Sequence, residues 1–277
     1  MSHHNESVVN QEMPPEVLYE VEEQVAVISL NRPERMNTIS RSMLNNLTEC
    51  FVRANLDPEI RAVILTGKGD RAFCAGLDLS AQVGGGDDAL LQTDAVKTNL
   101  DLRNTPPTTL FEMDKPIICA MNGSAAGYGL DTALGCDIRI MADHAKMSAA
   151  YVKRGILPES GGTWFLPRMI GWSRAAEMIF TGRNLSAAEC LEMGLVSRIV
   201  PVAKVLDEAR ALAREIAENA PLAVQAAKRM MRMGLEESFP IHVHHVWLQL
   251  LPLIRTEDFK EGITSFMEKR KADFKGR

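Results

Sequence analysis

Apolar and polar positions alternate over residues 17–30, a period of two that predicts a pair of strands turning near Glu22-Glu23-Gln24. The period then lengthens. Ser40 opens a segment in which Met43, Leu44, Leu47, Cys50, Phe51 and Ala54 recur at helical spacing, and Asp57-Pro58 ends it. Residues 62–66 form a short unbroken apolar run, as expected of a strand buried on both faces, and a turn follows over 67–70. Two further runs, 116–121 and 138–141, enclose a helix that reaches Leu134. Strand, turn, helix and strand in succession imply an α/β fold with crossover connections.

Residues 82–109 are less regular. The Gly84-Gly85-Gly86-Asp87-Asp88 segment is expected to be mobile, as a lid or as a plain surface excursion, and Pro106-Pro107 breaks any helix crossing it. From about Gly171 the pattern reads as almost purely helical. Ser186-Ala187-Ala188-Glu189 is a capping box for a short helix that Gly194 closes. Residues 202–219 are amphipathic, Pro221 stands in the first turn of the next helix, and 241–254 and 257–271 complete the set. The expected organisation is a disordered tail (1–15), a core (16–200) and a helical region (201–277) of the kind that packs on a neighbouring subunit.

Composition narrows the function classes. The 277 residues are 46% hydrophobic and 24% charged, in keeping with a globular chain with a large core. A formal net charge of -5 gives no basic footprint for nucleic acid or an anionic membrane. Five cysteines (Cys50, Cys74, Cys119, Cys136, Cys190) are scattered without a CxxC pair, which points to reduced thiols and a cytoplasmic location. The polar start of the chain has no apolar signal core and no Arg-rich transit pattern, and no run approaches a membrane span. His3-His4 reads as incidental rather than as a metal site.

Candidate chemistry sits in two glycine-bearing segments about fifty residues apart, 72–79 (Ala-Phe-Cys-Ala-Gly-Leu-Asp-Leu) and 122–129 (Asn-Gly-Ser-Ala-Ala-Gly-Tyr-Gly). Each follows a strand-like run and must turn sharply. Alone, each is an ordinary turn. Facing each other, they can aim two peptide N–H groups at one oxygen, as a carbonyl turning into an enolate requires.

Together with Asn31-Arg32-Pro33-Glu34-Arg35-Met36-Asn37, the segment Gly155-Ile156-Leu157-Pro158-Glu159-Ser160-Gly161-Gly162-Thr163 and the stretch from Phe180-Thr181-Gly182-Arg183 to Glu192-Met193-Gly194-Leu195-Val196, these two segments, taken from Phe73 to Leu79 and from Asn122 to Asp137, resemble the crotonase (enoyl-CoA hydratase/isomerase) superfamily. The likeness runs from about residue 17 to 274. It implies a spiral of ββα units with a C-terminal helical region that builds homotrimers or dimers of trimers. It also implies an acyl-CoA thioester as substrate, with no cofactor beyond the CoA of that substrate and no metal.

Matched position by position, the resemblance puts the oxyanion-hole donors at the Leu77 and Tyr128 backbone N–H groups. It assigns CoA contacts to Arg35, Met36, Ala75, Asp78 and Leu79, and puts Gly127 in the substrate pocket. Phe266 and Lys269 match positions that reach a neighbouring subunit's CoA; otherwise they are a core phenylalanine and a solvated lysine. Hydratases of the superfamily carry two glutamates. Here the first position is Asp131 and the second is Tyr151, whose phenol, with an ordinary pKa of about 10, is no resting base at neutral pH. Glu159 offers the replacement, since an acid at this position resembles the single base of enoyl-CoA isomerases. The expectation is therefore double-bond isomerisation with Glu159 as proton carrier and Asp131 assisting. Hydration, thioester hydrolysis, a ring-directed reaction and a non-catalytic acyl-CoA binder are the alternatives. Glu159 as a solvent-facing cap of its turn and Asp131 as a complement to a helix dipole remain the plain readings. His242, His244 and His245 are not spaced to share one helix face, Cys74 reads as a buried filler, and Trp164 and Trp172 as packing residues.

Overall fold

The computed structural model describes residues 14–80 and 106–277. The tail and lid expectations at 1–13 and 82–105, His3-His4 included, lie outside the described residues. Strands β1 (Val17–Glu22) and β2 (Val25–Leu30) form the expected hairpin, with Val17 opposite Leu30 and Glu22 opposite Val25. Helix α1 (Arg41–Leu56) begins where Ser40 accepts the Met43 N–H at 3.1 Å, and it buries Met43, Leu47, Phe51 and Ala54. Strand β3 (Ala62–Gly67) is buried throughout.

From β3 onward the chain visits two sheets in alternation. β3 is followed by β4 (Ala72–Cys74), β5 (Ile117–Met121) by β6 (Ser124–Ala126), and β7 (Ile138–Ala142) by β8 (Lys146–Ser148). With β9 (Asn184–Ser186) and β10 (Arg198–Val200) from later in the chain, the first strand of each pair joins a six-stranded sheet of order β1-β2-β3-β5-β7-β10, and the second joins a four-stranded sheet of order β4-β6-β8-β9. Pairing is parallel except in the hairpin and between β8 and β9. Helix α2 (Pro106–Glu112) precedes β5, and α3 (Tyr128–Gly135) follows β6. This is the α/β crotonase spiral, with helices α4 (Gly162–Ile170) and α5 (Trp172–Thr181) packed beyond it.

Several details depart from the sequence pattern. Pro106-Pro107 opens α2 rather than merely breaking a helix, because a proline in the first turn gives up an N–H that has no intrahelical acceptor. The region after Gly171 is not purely helical. β9 (Asn184–Ser186) leads into α6 (Ala187–Glu192), where the expected capping box forms, and β10 (Arg198–Val200) completes the large sheet. Three residues are too few to display a period of two, so these strands are fixed by the sheets they join. Helices α7 (Val205–Ala217), α8 (Pro221–Met233), α9 (Phe239–Leu253) and α10 (Glu257–Glu268) follow. The last stops short of 271 because Lys269 turns left-handed, at φ 55°. Trp172 is no packing residue within the chain, being 77% exposed.

Candidate active site

Two buried asparagines bring the glycine segments together. Asn37 Nδ2 donates to the carbonyls of Lys68 (3.0 Å) and Ala72 (2.9 Å). Asn122 Oδ1 accepts the Gly67 N–H (3.0 Å), and its Nδ2 donates to the Gly69 and Ala72 carbonyls (2.7 and 3.2 Å). The β3–β4 turn is thus held from both sides, and β4 pairs in parallel with β6. The turn leaves no room for a larger residue at Gly67, where a Cβ would sit 2.7 Å from the Phe73 carbonyl oxygen.

Leu77 pairs with Ile39 in a single parallel bridge: Ile39 N–H donates to the Gly76 carbonyl (2.8 Å) and Asp78 N–H to the Ile39 carbonyl (2.9 Å). In such a bridge the intervening Leu77 N–H points away from Ile39. Tyr128 is the first residue of α3, so its N–H has no intrahelical acceptor and carries the positive end of the helix dipole. The two meet at Gly76, where a Cβ would lie 3.7 Å from the Tyr128 nitrogen. Gly127, at φ 54° and ψ -130°, takes a backbone shape that side chains disfavour, and its Cβ direction faces the Tyr151 ring.

Three ionisable side chains gather beside this turn. Asp131, in the first turn of α3, is wholly buried. Its Oδ2 accepts the Ser160 N–H at 3.2 Å, and the Gly162 N–H at the start of α4 faces the same carboxyl. Burial nevertheless raises its pKa to about 7, the contacts with Tyr151, Gly162 and Ser160 offsetting part of that rise and the Glu159 charge adding to it. Tyr151 Oη and Asp131 Oδ1 are both buried without a hydrogen-bonded partner among the described residues. Burial, and then the neighbouring Asp131, drive the Tyr151 phenol far above its ordinary pKa, so it stays protonated at neutral pH. Glu159 is different. It lies open to solvent on the turn before α4, yet enclosed enough for burial to raise its pKa, and Ser160 Oγ stands 3.4 Å from its Oε1. The arrangement can hold an oxyanion with backbone donors and move a proton beside it.

Residues 20–277 match the Enoyl-CoA hydratase/isomerase family. The chain belongs to it. Among relatives, the (E)-benzylidenesuccinyl-CoA hydratase of Thauera aromatica is 38% identical over 94% of this chain and 99% of its own. The 1,2-epoxyphenylacetyl-CoA isomerase of Escherichia coli is 34% identical over 94% of this chain and 98% of its own. A crystal structure of an enoyl-CoA hydratase from Bacillus anthracis superposes with a TM-score of 0.87 at 34% identity, covering 95% of this chain and all of that one.

Of the CoA contacts that the crotonase resemblance assigns, five converge. Ala75 N–H donates to the Met36 carbonyl (3.1 Å), and Asp78 stands 3.6 Å from the Arg35 guanidinium, with Leu79 next to it. Ser80, and then Arg32, hold the Asp78 carboxyl below its ordinary pKa. Arg32 lies in the 31–37 segment, though with no sign of its role in the sequence. It bonds Asp78 (2.9 Å), Glu16 (3.0 Å) and the Thr38 carbonyl (2.7 Å), tying the loop ahead of α1 to the first glycine segment. Phe266 stands on the last helix and Lys269 at its C-terminal cap, and Phe266 is 85% exposed, which rules out a core role within the chain.

The remaining candidates carry other duties. Glu237 bridges His242 (3.2 Å) and His245 (2.7 Å), and among the described residues no cluster fits a metal ion. Cys74 is buried, its thiol pushed up to about 12 by burial, as suits a filler. Trp164 packs in an aromatic cluster with Phe111 and Phe165 behind the Glu159 turn. A cavity of about 970 Å³ lies away from this site; of its cations, Arg61 and Lys115 are bonded to backbone carbonyls and Arg214, Lys271 and Lys275 are paired with carboxylates. Among the described residues no helix is long and apolar enough to cross a membrane.

Proposed function

We propose that the protein isomerises the double bond of an enoyl-CoA, moving it from the 3- to the 2-position. The Leu77 and Tyr128 N–H groups bind the thioester oxygen, the Glu159 carboxylate takes a proton from C2, and the electron pair moves into the enolate. Collapse of the enolate shifts the double bond and returns the same proton from Glu159 to C4. Arg35, Met36, Ala75, Asp78 and Leu79 hold the CoA. Phe266 and Lys269 reach the CoA of a neighbouring subunit in a homotrimer or dimer of trimers. No cofactor enters beyond the CoA of the substrate.

The carrying observation is the contrast in exposure among the three ionisable groups. Glu159 alone is open to solvent, while Asp131 is wholly buried and Tyr151 is held protonated. One accessible carboxylate suits a 1,3-proton shift, whereas adding water calls for a second group to orient the nucleophile. Hydration is the second reading, favoured by the hydratase names of the Thauera and Bacillus proteins. Purified protein assayed with 2-enoyl-CoA and 3-enoyl-CoA of matched length separates the two. Isomerisation should dominate, and Glu159→Gln should cut it by about 10²-fold or more. Rapid hydration that survives Glu159→Gln would sink the assignment, and binding without any turnover would favour a silent acyl-CoA binder.

A further inference from the structure

Asp131 occupies an unusual position between the two halves of the site. It belongs to α3, the helix whose first N–H is that of Tyr128, and it grips the turn that carries Glu159. Two independent contacts make the grip. Ser160, the residue directly after Glu159, donates its N–H to Asp131 Oδ2 at 3.2 Å. Two residues further, Gly162 lies so close that a Cβ there would be 2.5 Å from Asp131 Oδ1 and 3.0 Å from the Pro158 Cβ. The carboxyl therefore fits under the 158–162 turn and touches it at Ser160 and at Gly162. The Tyr151 ring closes the remaining side, and the side chain is left with no exposed surface.

Resting on the assignment of Glu159 as proton carrier, we propose that Asp131 is a positioning residue that acts through Glu159, tying the Glu159 turn to the helix that supplies the Tyr128 N–H. One carboxyl then keeps the proton carrier and the oxyanion donor in a single geometry. An acceptor oxygen with a short reach is what the contact needs. Aspartate meets this from the first turn of α3, and a glutamate would have to displace Gly162 or Ser160. The charged and titratable groups facing Asp131 are Tyr151 on the loop after β8, Glu159 on the gripped turn and Tyr128 on its own helix. Its carboxyl titrates near neutrality, so the grip changes character across the working pH range while keeping an acceptor oxygen in both forms.

The test is a double-mutant cycle on kcat with the substrate that the wild-type enzyme turns over best. Its arms are Asp131→Ala and Glu159→Asp, the latter keeping a carboxylate and a measurable rate. Acting through Glu159, Asp131 should give a non-additive cycle: Asp131→Ala lowers kcat by about tenfold or more alone but less than threefold in the Glu159→Asp background. KM should move little. Asp131→Asn, which keeps an acceptor for the Ser160 N–H, should recover most of the kcat lost in Asp131→Ala. Gly162→Ala probes the same contact without removing a polar group and covers the case in which Asp131→Ala fails to fold. It should lower kcat, again less in the Glu159→Asp background. Additive losses would overturn the proposal, as would Asp131→Asn as damaging as Asp131→Ala, because both would mean that Asp131 does chemistry of its own. Full isomerase turnover in Glu159→Gln would instead overturn the proton-carrier assignment itself.

Discussion

Enclosed by α3, the 158–162 turn and the Tyr151 ring, the Asp131 carboxyl titrates at about 7 in the folded chain, against about 3.9 for an unfolded aspartate. Below pH ~4 both states hold the proton. Between there and pH ~7 only the folded state does, so stability falls as pH rises, by up to about 1.4 kcal/mol per pH unit. Above that window the penalty is complete, on the order of 4 kcal/mol. Asp131→Asn removes the titration. Its unfolding free energy relative to wild type should therefore improve from pH 5 to about pH 7 and level off above that in urea melts, and a difference flat throughout would refute the burial argument. Glu159 is raised in the same direction by burial. A base must be ionised to work, so the acid limb of the kcat profile should lie above the ordinary carboxylate range and vanish in Glu159→Gln. At this scale the sequence already named Asp131, Tyr151 and Glu159, which the fold brings together, the first two by position-by-position match to the family's glutamates and the third inside the 155–163 segment. It could not separate a fully enclosed carboxyl from an open one, since that difference arises from Gly162 and Ser160 folding back over α3. Asn37 and Asn122 lie inside the motif segments but drew no role of their own for a related reason: their partners are backbone atoms of a distant turn.

Helix α3 shows the same division at the level of elements. Its existence follows from the apolar pattern up to Leu134, but its placement depends on contacts at each end. At the N-terminus Gly129 rests on β4, where a Cβ would come 2.2 Å from the Cys74 carbonyl oxygen. Alanine is the better helix former, yet Gly129→Ala should push the helix off β4 and carry the Tyr128 N–H with it. The loss of one oxyanion donor corresponds to about 3–4 kcal/mol, so kcat should fall by about 10²–10³-fold. Unchanged turnover would show that α3 yields without moving the donor. At the opposite end buried Arg139 caps the helix, its Nη1 2.6 Å from the Cys136 carbonyl and 3.4 Å from those of Ala133 and Leu134. A cation there complements the dipole. Arg139→Met would strand these carbonyls, and the expected loss of about 3 kcal/mol is readable as a lower urea midpoint. Longer strands were legible, β2 from the alternation over 17–30 and β3 from its apolar run. The three-residue strands β4, β6, β8 and β9 were not, yet they form the whole sheet from which the glycine segments turn.

At the scale of the molecule, the C-terminal helices pose the question that a single chain leaves open. Helix α9 has no buried residue although most of its positions are apolar, and Phe239, Ile241, Trp247, Leu248 and Leu251 are all exposed. Helices apolar on many sides are normally covered, and a contiguous exposed patch of this kind marks an association surface. Met231 on α8 and Phe266 and Met267 on α10 add to the apolar surface of this region. We propose that a second copy of the chain covers it, in the trimer or dimer of trimers that the crotonase resemblance implies. Light scattering on the eluted protein should then give a multiple of three chains. Placing a charge at the patch, as in Trp247→Asp, should lower that multiple, because an unpaired carboxylate buried in an apolar interface costs several kcal/mol. The same variant tests the assignment of Phe266 and Lys269. If they reach a neighbour's CoA, dissociated chains should bind acyl-CoA more weakly and show a raised KM, while Asp131, Glu159 and the two N–H donors, all within one chain, leave kcat at saturating substrate much less affected. A wild-type protein that stays monomeric at micromolar concentration would remove both the assembly and the shared CoA site at once.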